Sequence, residues 1–409
     1  MIKKTRIKIN TNITVYFKTL LSFFKKNLNE NTFLEKLKLY LNSDNLILCS
    51  QGRVAAYNIF KLLINSNHKE IIISPYTLPE VVNAIVYAGG NPIYVDIDIN
   101  TGLPDHQKVN DLINDKTACI VITHLYSNNH DILKFKEEFN NKIKIVEDAA
   151  INFGAKIDNQ KYLGTLFDYG FFSFGVMKNL CTFHGGAIFC KNKSELNEIR
   201  SGLKKNKKYP EKYALKLIMF CMLIDILYNK IIFHNFTFYL LKLFNKLNIK
   251  YFEKIIYPGV YPKLIEHKPD SYNYNFCKRF IEAGKINIDL LESRKDQRVK
   301  NVKYYEKYIN KKLLINNFKD HSNNSFLEYP ILLKQNTNKF VSKMLLEDGY
   351  DIRHTWYINS VKFRQFKFKI SQFQNCDLLN DYILTLPTNI NFKEKDIINI
   401  CNTINNLEK

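Results

Sequence analysis

The sequence predicts an α/β protein with a mostly parallel central sheet and helices on both of its faces. Between about residues 45 and 192, short apolar runs alternate with segments of helical periodicity. Such alternation is typical of parallel sheets, because the connections between parallel strands cross the sheet faces as helices. With 409 residues, 46% of them hydrophobic, the chain is long enough for one large domain and a smaller one.

The individual elements follow from apolar runs and helical spacing. The predicted strands cover residues 70–74, 91–98, 118–126, 143–148, 169–174 and 185–190. The predicted helices between several of them cover residues 54–64, 79–88 and 131–139. Ligands of open α/β sheets bind beyond the carboxyl ends of the strands, so His124, Asp148 and Ser173 are candidate site residues.

Changes of pattern divide the chain into four segments. We expect an N-terminal helical segment (1–44), a large α/β domain (45–200), a basic apolar helical insertion (201–260) and a smaller α+β domain (261–409). The smaller domain is predicted to begin with a long helix over 276–309 and to end with a helix from about Glu394.

The insertion differs in character from the rest of the chain. Its apolar core, residues 217–227, contains Asp225 and is too short to span a bilayer. It predicts two amphipathic, aromatic-rich, basic helices. Two interpretations stay open: the helices pack on the main domain or on a dimer partner, or residues 203–256 contact a membrane surface.

Charge and cysteine usage limit the class of protein. The net charge of +21 is spread along the chain and not gathered into one basic arm, which argues against a nucleic-acid partner and favours anionic ligands. The eight cysteines show no CxxC pair and no zinc-site spacing, so we expect free thiols and no metal. Since we also find no convincing secretory signal, we expect a cytoplasmic protein.

One lysine lies in a turn suited to covalent chemistry. In FFSFGVMKNLCTFHGGAIF (171–189), Lys178 falls between two β-like runs, with Ser173 five residues earlier and a glycine pair, Gly185 and Gly186, after it. This arrangement suits a Schiff-base lysine beside a phosphate. The alternative is a solvated surface lysine, which is common in so basic a chain.

Two further segments fit the same chemistry. Asp148 ends a predicted strand and precedes two alanines, and in a pyridoxal phosphate enzyme such an aspartate pairs with the pyridine nitrogen. The segment 50–56, with Gly52, opens a predicted helix whose first amides could bind a phosphate together with Ser173. The alternative for both segments is simple helix capping.

Several motifs, in order, resemble the DegT/DnrJ/EryC1/StrS family of nucleotide-sugar aminotransferases, which are fold type I pyridoxal phosphate enzymes. The motifs are SQGRVAAY, IIISPYTLPEVVNAIVYAGGNPIYVDID, ITHLYS, VEDAAINFGA, FFSFGVMKNL and HGGAIF, with weaker similarity in SYNYNF, LESRKDQRVKNVKYYEKY and TLPTNINF. The resemblance covers about residues 35–192. The insertion lies outside it.

The resemblance implies a role for each matching residue. Lys178 corresponds to the Schiff-base lysine and Asp148 to the partner of the pyridine nitrogen. Ser173, Gly52 and the amide of Arg53 match phosphate-binding positions. The family builds its sites across a homodimer interface, so Asn273 or Asn275 would reach the phosphate of the neighbouring subunit.

The sequence also departs from the family pattern. Ile151 replaces a Gln or His near the phenolic oxygen, Arg53 replaces a threonine, and His184 replaces a Glu before the glycine pair. The ring-stacking aromatic is Leu78 here, which leaves Tyr76 as a substitute. These departures motivate an alternative: a relative that binds the cofactor but is catalytically weak and acts as a regulator or scaffold.

The main function that the resemblance implies is transfer of an amino group from an amino acid, glutamate in most of the family, to a keto group of a nucleotide-diphosphate sugar. A family relative with His in place of the lysine performs deoxygenation, and Lys178 argues against that reaction here. A basic rim would attract the diphosphate. The candidate rim residues are Lys204 to Lys208, Arg279, Arg353 and His354, while Trp356 is expected beside the site, as part of the core.

Overall fold

The structure is a computed structural model that describes residues 2–125, 131–157, 161–247, 267–315, 321–352, 358–360 and 373–409. The described strands are β1 Lys4–Thr5, β2 Leu46–Cys49, β3 Glu70–Ile73, β4 Tyr76–Thr77, β5 Asn91–Tyr94, β6 Thr117–Thr123, β7 Ile145–Asp148, β8 Lys156–Ile157, β9 Lys161–Tyr162, β10 Tyr169–Ser173, β11 Gly186–Cys190, β12 Glu328–Leu332, β13 Tyr350–Asp351, β14 Ile358–Asn359 and β15 Ile383–Pro387.

The helices connect and flank these strands. They are α1 Ile13–Leu21, α2 Asn31–Leu41, α3 Gly52–Leu63, α4 Pro79–Tyr87, α5 His106–Leu112, α6 Asp131–Phe139, α7 Lys193–Lys204, α8 Glu211–Leu227, α9 Lys230–Ile232, α10 Phe238–Lys246, α11 Ile281–Asp289, α12 Leu291–Tyr308, α13 Asn338–Glu347, α14 Gln374–Tyr382 and α15 Glu394–Leu407. A π-helical turn, Phe233–Thr237, joins α9 to α10.

The large sheet has seven strands in the order β2-β11-β10-β7-β6-β3-β5. Among these strands β11 alone is antiparallel to its neighbours, and the other pairs are parallel. The prediction of a mostly parallel sheet is therefore confirmed. A short two-residue strand, β4, leaves the sheet after β3 and pairs with β14.

Helices cover both faces of this sheet, as predicted. The strand side chains alternate between faces: in β10, Phe171 packs with α3, α4 and α7, whereas Phe172 packs with α1, α2 and α11. Further along the sheet, Ile120 and Ile122 of β6 pack with α5 and α6 on the face opposite Val121. Apolar residues on successive positions of these strands are thus buried on either side, as in other parallel sheets.

The carboxyl-terminal part has a core of its own. Side chains of α12, α13, α15, β12 and β15 form one apolar cluster that includes Tyr305, Ile331 and Ile400. The predicted helix over 276–309 is wrong in its extent: α11 and α12 are separate helices, with Leu290 between them at φ −93° and ψ 0°. Helix α11 packs with α1 and α2 on the large sheet, because Ile281, Ala283 and Ile288 belong to that core.

The N-terminal segment, predicted to be helical, carries the strand β1 as well as the helices α1 and α2. β1 pairs in parallel with β13, so the chain start joins the carboxyl-terminal part. The division of the chain at residues 44, 200 and 260 stays a prediction. Within the described ranges, no helix combines the length and the apolar character needed to cross a membrane.

Candidate active site

The turn with Lys178 connects two neighbouring strands of the sheet. β10 ends at Ser173 and β11 starts at Gly186, directly opposite it in the antiparallel pair. The Lys178 amide donates to the carbonyl of Gly175 at 3.0 Å, which closes the turn. Burial lowers the pKa of the Lys178 amine, and the negative charges of Asp148, Glu328 and Glu80 partly oppose this shift. A lowered pKa favours the neutral amine, the form that acts as a nucleophile.

A buried network of polar side chains is hydrogen-bonded to this turn. Asn10 donates from Nδ2 to the carbonyl of Lys178 at 2.8 Å and accepts from Nη2 of Arg298 at 3.1 Å. Arg298 also donates from Nη1 to Oδ1 of Asn179, whose amide in turn donates to the carbonyl of Phe153 at 3.2 Å. The side chain of Arg298 is 3% exposed, and burial lowers its pKa to about 9. Sequence reasoning missed this network because its members are far apart in the chain.

Asp148 ends β7, between β6 and β10, and is fully buried. Its Oδ1 accepts from the amide of Ala150 at 3.0 Å, whereas Oδ2 has no hydrogen-bond partner among the described residues. Burial raises the pKa of this carboxyl group. The Ala150 amide and the positive charges of Lys178 and His124 partly oppose this rise. The residues that follow form a turn and not a helix, so helix capping does not explain Asp148. A buried oxygen without a donor fits a protonated pyridine nitrogen of a bound cofactor.

His124 is buried next to this strand but is bound to a structural carboxylate. Its Nε2 lies 2.9 Å from Oε1 of Glu147, and Glu147 also accepts from the amides of Gly164 and Leu166, each at 2.7 Å. Glu147 and Asp148 are successive residues of one strand, so their side chains point to opposite faces. His124 therefore supports the loop after β9 and does not line the Lys178 turn.

The predicted phosphate-binding segments meet at one point of close backbone approach. A Cβ atom on Gly52, the first residue of α3, would lie 2.7 Å from Cβ of Ser173. A Cβ atom on Gly186 would lie 2.8 Å from the amide nitrogen of Gly52. Only glycine allows these three segments to approach so closely. The free amides at the start of the 12-residue helix α3, next to the Ser173 hydroxyl, are suited to an anion.

His184 supports the start of α3 through hydrogen bonds. Its Nδ1 lies 2.8 Å from the hydroxyl of Tyr209 and 3.2 Å from Nε2 of Gln51, while Oε1 of Gln51 accepts from Nε of Arg53. Burial, and to a lesser extent the charge of Arg53, lowers the pKa of His184 to about 4. The ring is thus neutral near pH 7, and Nδ1 acts as the acceptor. His184 orients Gln51 and, through it, Arg53.

The two asparagines of the YNY segment have partners within their own chain. Oδ1 of Asn273 accepts from Nζ of Lys268 at 2.8 Å, and Nδ2 of Asn275 donates to the carbonyl of Asn206 at 3.1 Å. The backbone of this segment pairs with Lys207. Their predicted contact with the phosphate of a second subunit stays a prediction.

The unusual residues near the sheet edge share one apolar cluster. Tyr76 in β4 is buried, and Leu78 and Ile151 pack against the same cluster, which also contains α3 and α4. Of the predicted rim residues, Arg279 is bound to Glu211, with Nη2 to Oε1 at 2.7 Å, and to the carbonyls of Ser22 and Lys25. The predicted site residues Arg353, His354 and Trp356 lie outside the described residues.

The structure therefore places Lys178 within electrostatic range of Asp148, and Ser173 next to Gly52 and Gly186. All of these residues lie at the carboxyl-terminal edge of the sheet. It also reveals charged neighbours that sequence reasoning missed. Glu80 lies in the first turn of α4, and Glu328 is the first residue of β12. The negative charges of both raise the pKa of Lys178, against the effect of burial. No sequence signal connects them to Lys178, because Glu328 is 150 residues away in the chain.

Residues 18–215 match the model of the DegT/DnrJ/EryC1/StrS aminotransferase family. Over 146 residues, 36% of this chain, the sequence is 34% identical to GDP-perosamine synthase of Escherichia coli O157:H7. Over 168 residues, 40% of this chain, it is 30% identical to dTDP-4-amino-4,6-dideoxy-D-glucose transaminase of Shigella dysenteriae. These alignments span 40% and 44% of the length of the two relatives.

The fold likeness extends over nearly the whole chain. The structure of E. coli GDP-4-keto-6-deoxy-D-mannose-3-dehydratase, which contains bound hydrated PLP, superposes with a TM-score of 0.73 at 15% identity. The match covers 99% of this chain and all of that one. The two chains share one fold, with its mostly parallel sheet and smaller carboxyl-terminal part. Residues 18–215 of this chain thus share the sequence pattern of the DegT/DnrJ/EryC1/StrS aminotransferase family.

Proposed function

We propose that this protein is a pyridoxal phosphate-dependent aminotransferase that transfers an amino group from an amino acid, L-glutamate, to a keto group of a nucleotide-diphosphate sugar. The observation that supports this most strongly is the buried Oδ2 of Asp148, which has no donor among the described residues and lies under the influence of the Lys178 charge. A buried carboxylate oxygen without a partner is costly, and a cationic ring nitrogen would relieve that cost.

The residues around this carboxylate fit pyridoxal phosphate. When bound, this cofactor acts as an electron sink that makes the α-proton of an amino acid removable. Asp148 would accept a hydrogen bond from the pyridine nitrogen and stabilise its positive charge. The Ser173 hydroxyl and the first amides of α3, at Gly52 and Arg53, would hold the phosphate. Gly186 lets β11 approach the amide of Gly52 closely.

Lys178 would be both the covalent attachment point and the proton carrier. Its Nζ would hold the cofactor covalently, for which its lowered pKa is favourable. Nζ would also serve as the base and acid that move the proton at Cα of the amino donor. Asn10 donates to the Lys178 carbonyl, and Arg298 donates to Asn10 in turn. These two hydrogen bonds keep the backbone of the turn fixed.

The substrate class is supported by the relatives. One of the two is named for a GDP-linked product and the other for a dTDP-linked amino sugar. The net charge of +21 favours a dianionic diphosphate electrostatically. We further propose a homodimer with shared sites, in which Asn273 or Asn275 reaches the phosphate of the other subunit, and a cytoplasmic location.

A second candidate function follows from the residues near the ring. Ile151 has no hydrogen-bonding side chain for the phenolic oxygen, and Leu78 cannot stack as an aromatic ring does. Tyr76, buried in the same cluster, is the substitute that we propose for stacking. If Tyr76 does not fulfil this role, the protein would bind the cofactor and act as a catalytically weak regulator or scaffold.

The decisive experiment combines spectroscopy with a substrate panel. The protein, purified with pyridoxal phosphate, should show the absorption band of a Schiff base, and the band should shift when glutamate is added. It should then aminate at least one nucleotide-linked 3-keto or 4-keto sugar. Lys178→Ala should lose the band and the activity, while Lys303→Ala, an exposed lysine on α12, should keep both. A band that ignores every amino donor would favour the regulator, and activity that persists in Lys178→Ala would refute the proposal.

A further inference from the structure

From Leu217 onward, helix α8 is apolar on nearly all sides, although only one side of it is covered by the described residues. Its buried residues are Ala214, Ile218, Cys221 and Ile224, which are spaced three or four apart and pack into the core shared with α1 and α2. A helix that is apolar all round normally has both sides buried, in a protein core or in lipid. The opposite side of α8 is exposed in the described part of the protein. This apolar side therefore has no apolar partner among the described residues.

This exposed side continues into the next helical segment. Ten large apolar side chains of this region are between 43% and 71% exposed. They are Tyr213, Leu215, Met219, Leu223, Ile226, Ile231, Phe236, Tyr239, Leu243 and Leu247. We call these residues the α8–α10 face. So many large apolar side chains exposed within 35 residues mark an interaction surface and not a set of scattered surface residues.

The charges around this face are almost all positive. Five lysines between residues 211 and 247 are exposed: Lys212, Lys216, Lys230, Lys242 and Lys246. The two acidic side chains of the same stretch already have partners, because Glu211 binds Arg279 at 2.7 Å and Asp225 accepts from the Tyr16 hydroxyl at 2.7 Å. Of the five lysines, Lys242 forms an ion pair with Glu347. Lys216 and Lys212 lie one and two turns before Met219 on the same side of α8.

The neighbouring helix has the same character. Helix α1, which holds Asp225 through Tyr16, exposes Ile13, Phe17 and Leu21, which are four residues apart and so lie on one side of the helix. Phe24, just after it, is 86% exposed. Lys18, Lys25 and Lys26 flank these residues and are exposed as well. Two adjacent helices thus share the combination of exposed apolar and basic side chains.

We propose that the α8–α10 face binds the surface of an anionic lipid bilayer, with its apolar side chains inserted at the headgroup level and its lysines among the lipid phosphates. This combination of apolar and lysine side chains is typical of interfacial helices. A second copy of this chain fits less well. A two-fold symmetric contact would bring the same lysine-rich faces together, and their like charges would repel.

The proposal is tested by co-sedimentation of the full-length protein with vesicles. Vesicles of phosphatidylcholine mixed with phosphatidylglycerol should bind it, and pure phosphatidylcholine vesicles should bind it much less. Met219→Ser/Leu223→Ser/Ile226→Ser should weaken binding by more than about tenfold, because it removes apolar groups that enter the bilayer. Lys212→Gln/Lys216→Gln should weaken it about fivefold per lysine, and only on the anionic vesicles.

Leu39→Ser is the matched control, because Leu39 on α2 is 82% exposed and lies outside the face. This variant should bind as the wild type does. All variants should keep the wild-type melting temperature and transamination of soluble substrates, so this test is independent of the proposed activity. Vesicle binding that the triple variant retains would overturn the proposal. So would a wild-type dimer that binds no vesicles and that the triple variant converts to monomers, since the face would then be a contact between subunits.

Discussion

Replacing Gly52 with alanine tests whether the start of α3 and the end of β10 approach as closely as the structure shows. The new Cβ would lie 2.7 Å from Cβ and 3.2 Å from Cα of Ser173. Carbon atoms in contact normally stay about 3.5–4.0 Å apart. Neither Ser173 atom can move through a change of side-chain rotamer, because both are fixed by the backbone of β10. The first turn of α3 must therefore move away from the strand by up to about 1 Å.

The expected cost follows from this overlap. Forcing one extra methyl group into a packed contact typically costs about 1–3 kcal/mol of unfolding free energy. The displacement also separates the α3 amides from the Ser173 hydroxyl, the two groups that we propose to hold the cofactor phosphate. We therefore expect Gly52→Ala to lower the affinity for pyridoxal phosphate, about tenfold or more if a displacement cost of about 1.4 kcal/mol falls on binding.

The assay is a thermal melt of the apoprotein together with a titration by pyridoxal phosphate, followed by absorbance. Gly202→Ala provides the matched control. Gly202 lies in α7, and a Cβ atom there meets nothing within 4 Å. Alanine at that position should stabilise the protein by about 0.5–1 kcal/mol, because it reduces the freedom of the unfolded chain. Wild-type cofactor affinity and stability in Gly52→Ala would refute the close contact between Gly52 and Ser173.

Three further substitutions test the surroundings of Lys178. Asp148→Asn should lower the transamination rate by about a hundredfold or more. It should also raise the apoprotein melting temperature near pH 7, because it removes a buried carboxylate whose pKa is raised; a melting temperature below that of the wild type would contradict this reasoning. The pKa of His184 is about 4 when folded and near 6.5 when unfolded, so its contribution to stability is complete above pH 6.5 and falls between pH 6.5 and 4. His184→Gln should remove this pH dependence, up to about 3 kcal/mol in denaturant titrations, and an unchanged slope would show that the ring titrates normally. Arg298→Lys can contact only one of Asn10 and Asn179; we expect a loss of about 2 kcal/mol in unfolding free energy and a fall in kcat larger than the change in KM, whereas unchanged kcat would exclude a positioning role.

The sequence predicted the elements whose periodicity is local. The strands near 70, 120, 145, 170 and 188 and the helices α3, α4 and α6 were each visible as apolar runs or helical spacing within a few residues. The parallel sheet followed from their alternation. The break at Leu290 was not visible, because the pattern of a long helix continues through it. Neither was β1, whose pairing partner β13 lies some 345 residues later.

In the candidate site, too, some features follow from local sequence and others depend on residues far apart in the chain. By itself, the sequence identified Lys178, Asp148, Ser173 and Gly52 as candidates, because each is tied to the end of a strand, the start of a helix or the turn between two strands. Only the tertiary structure decided which groups surround them. It left Oδ2 of Asp148 buried without a donor among the described residues and placed Asn10 and Arg298 in hydrogen-bonding contact with the lysine turn. Burial and hydrogen bonds between distant residues depend on how elements pack, and no local pattern in the chain records that.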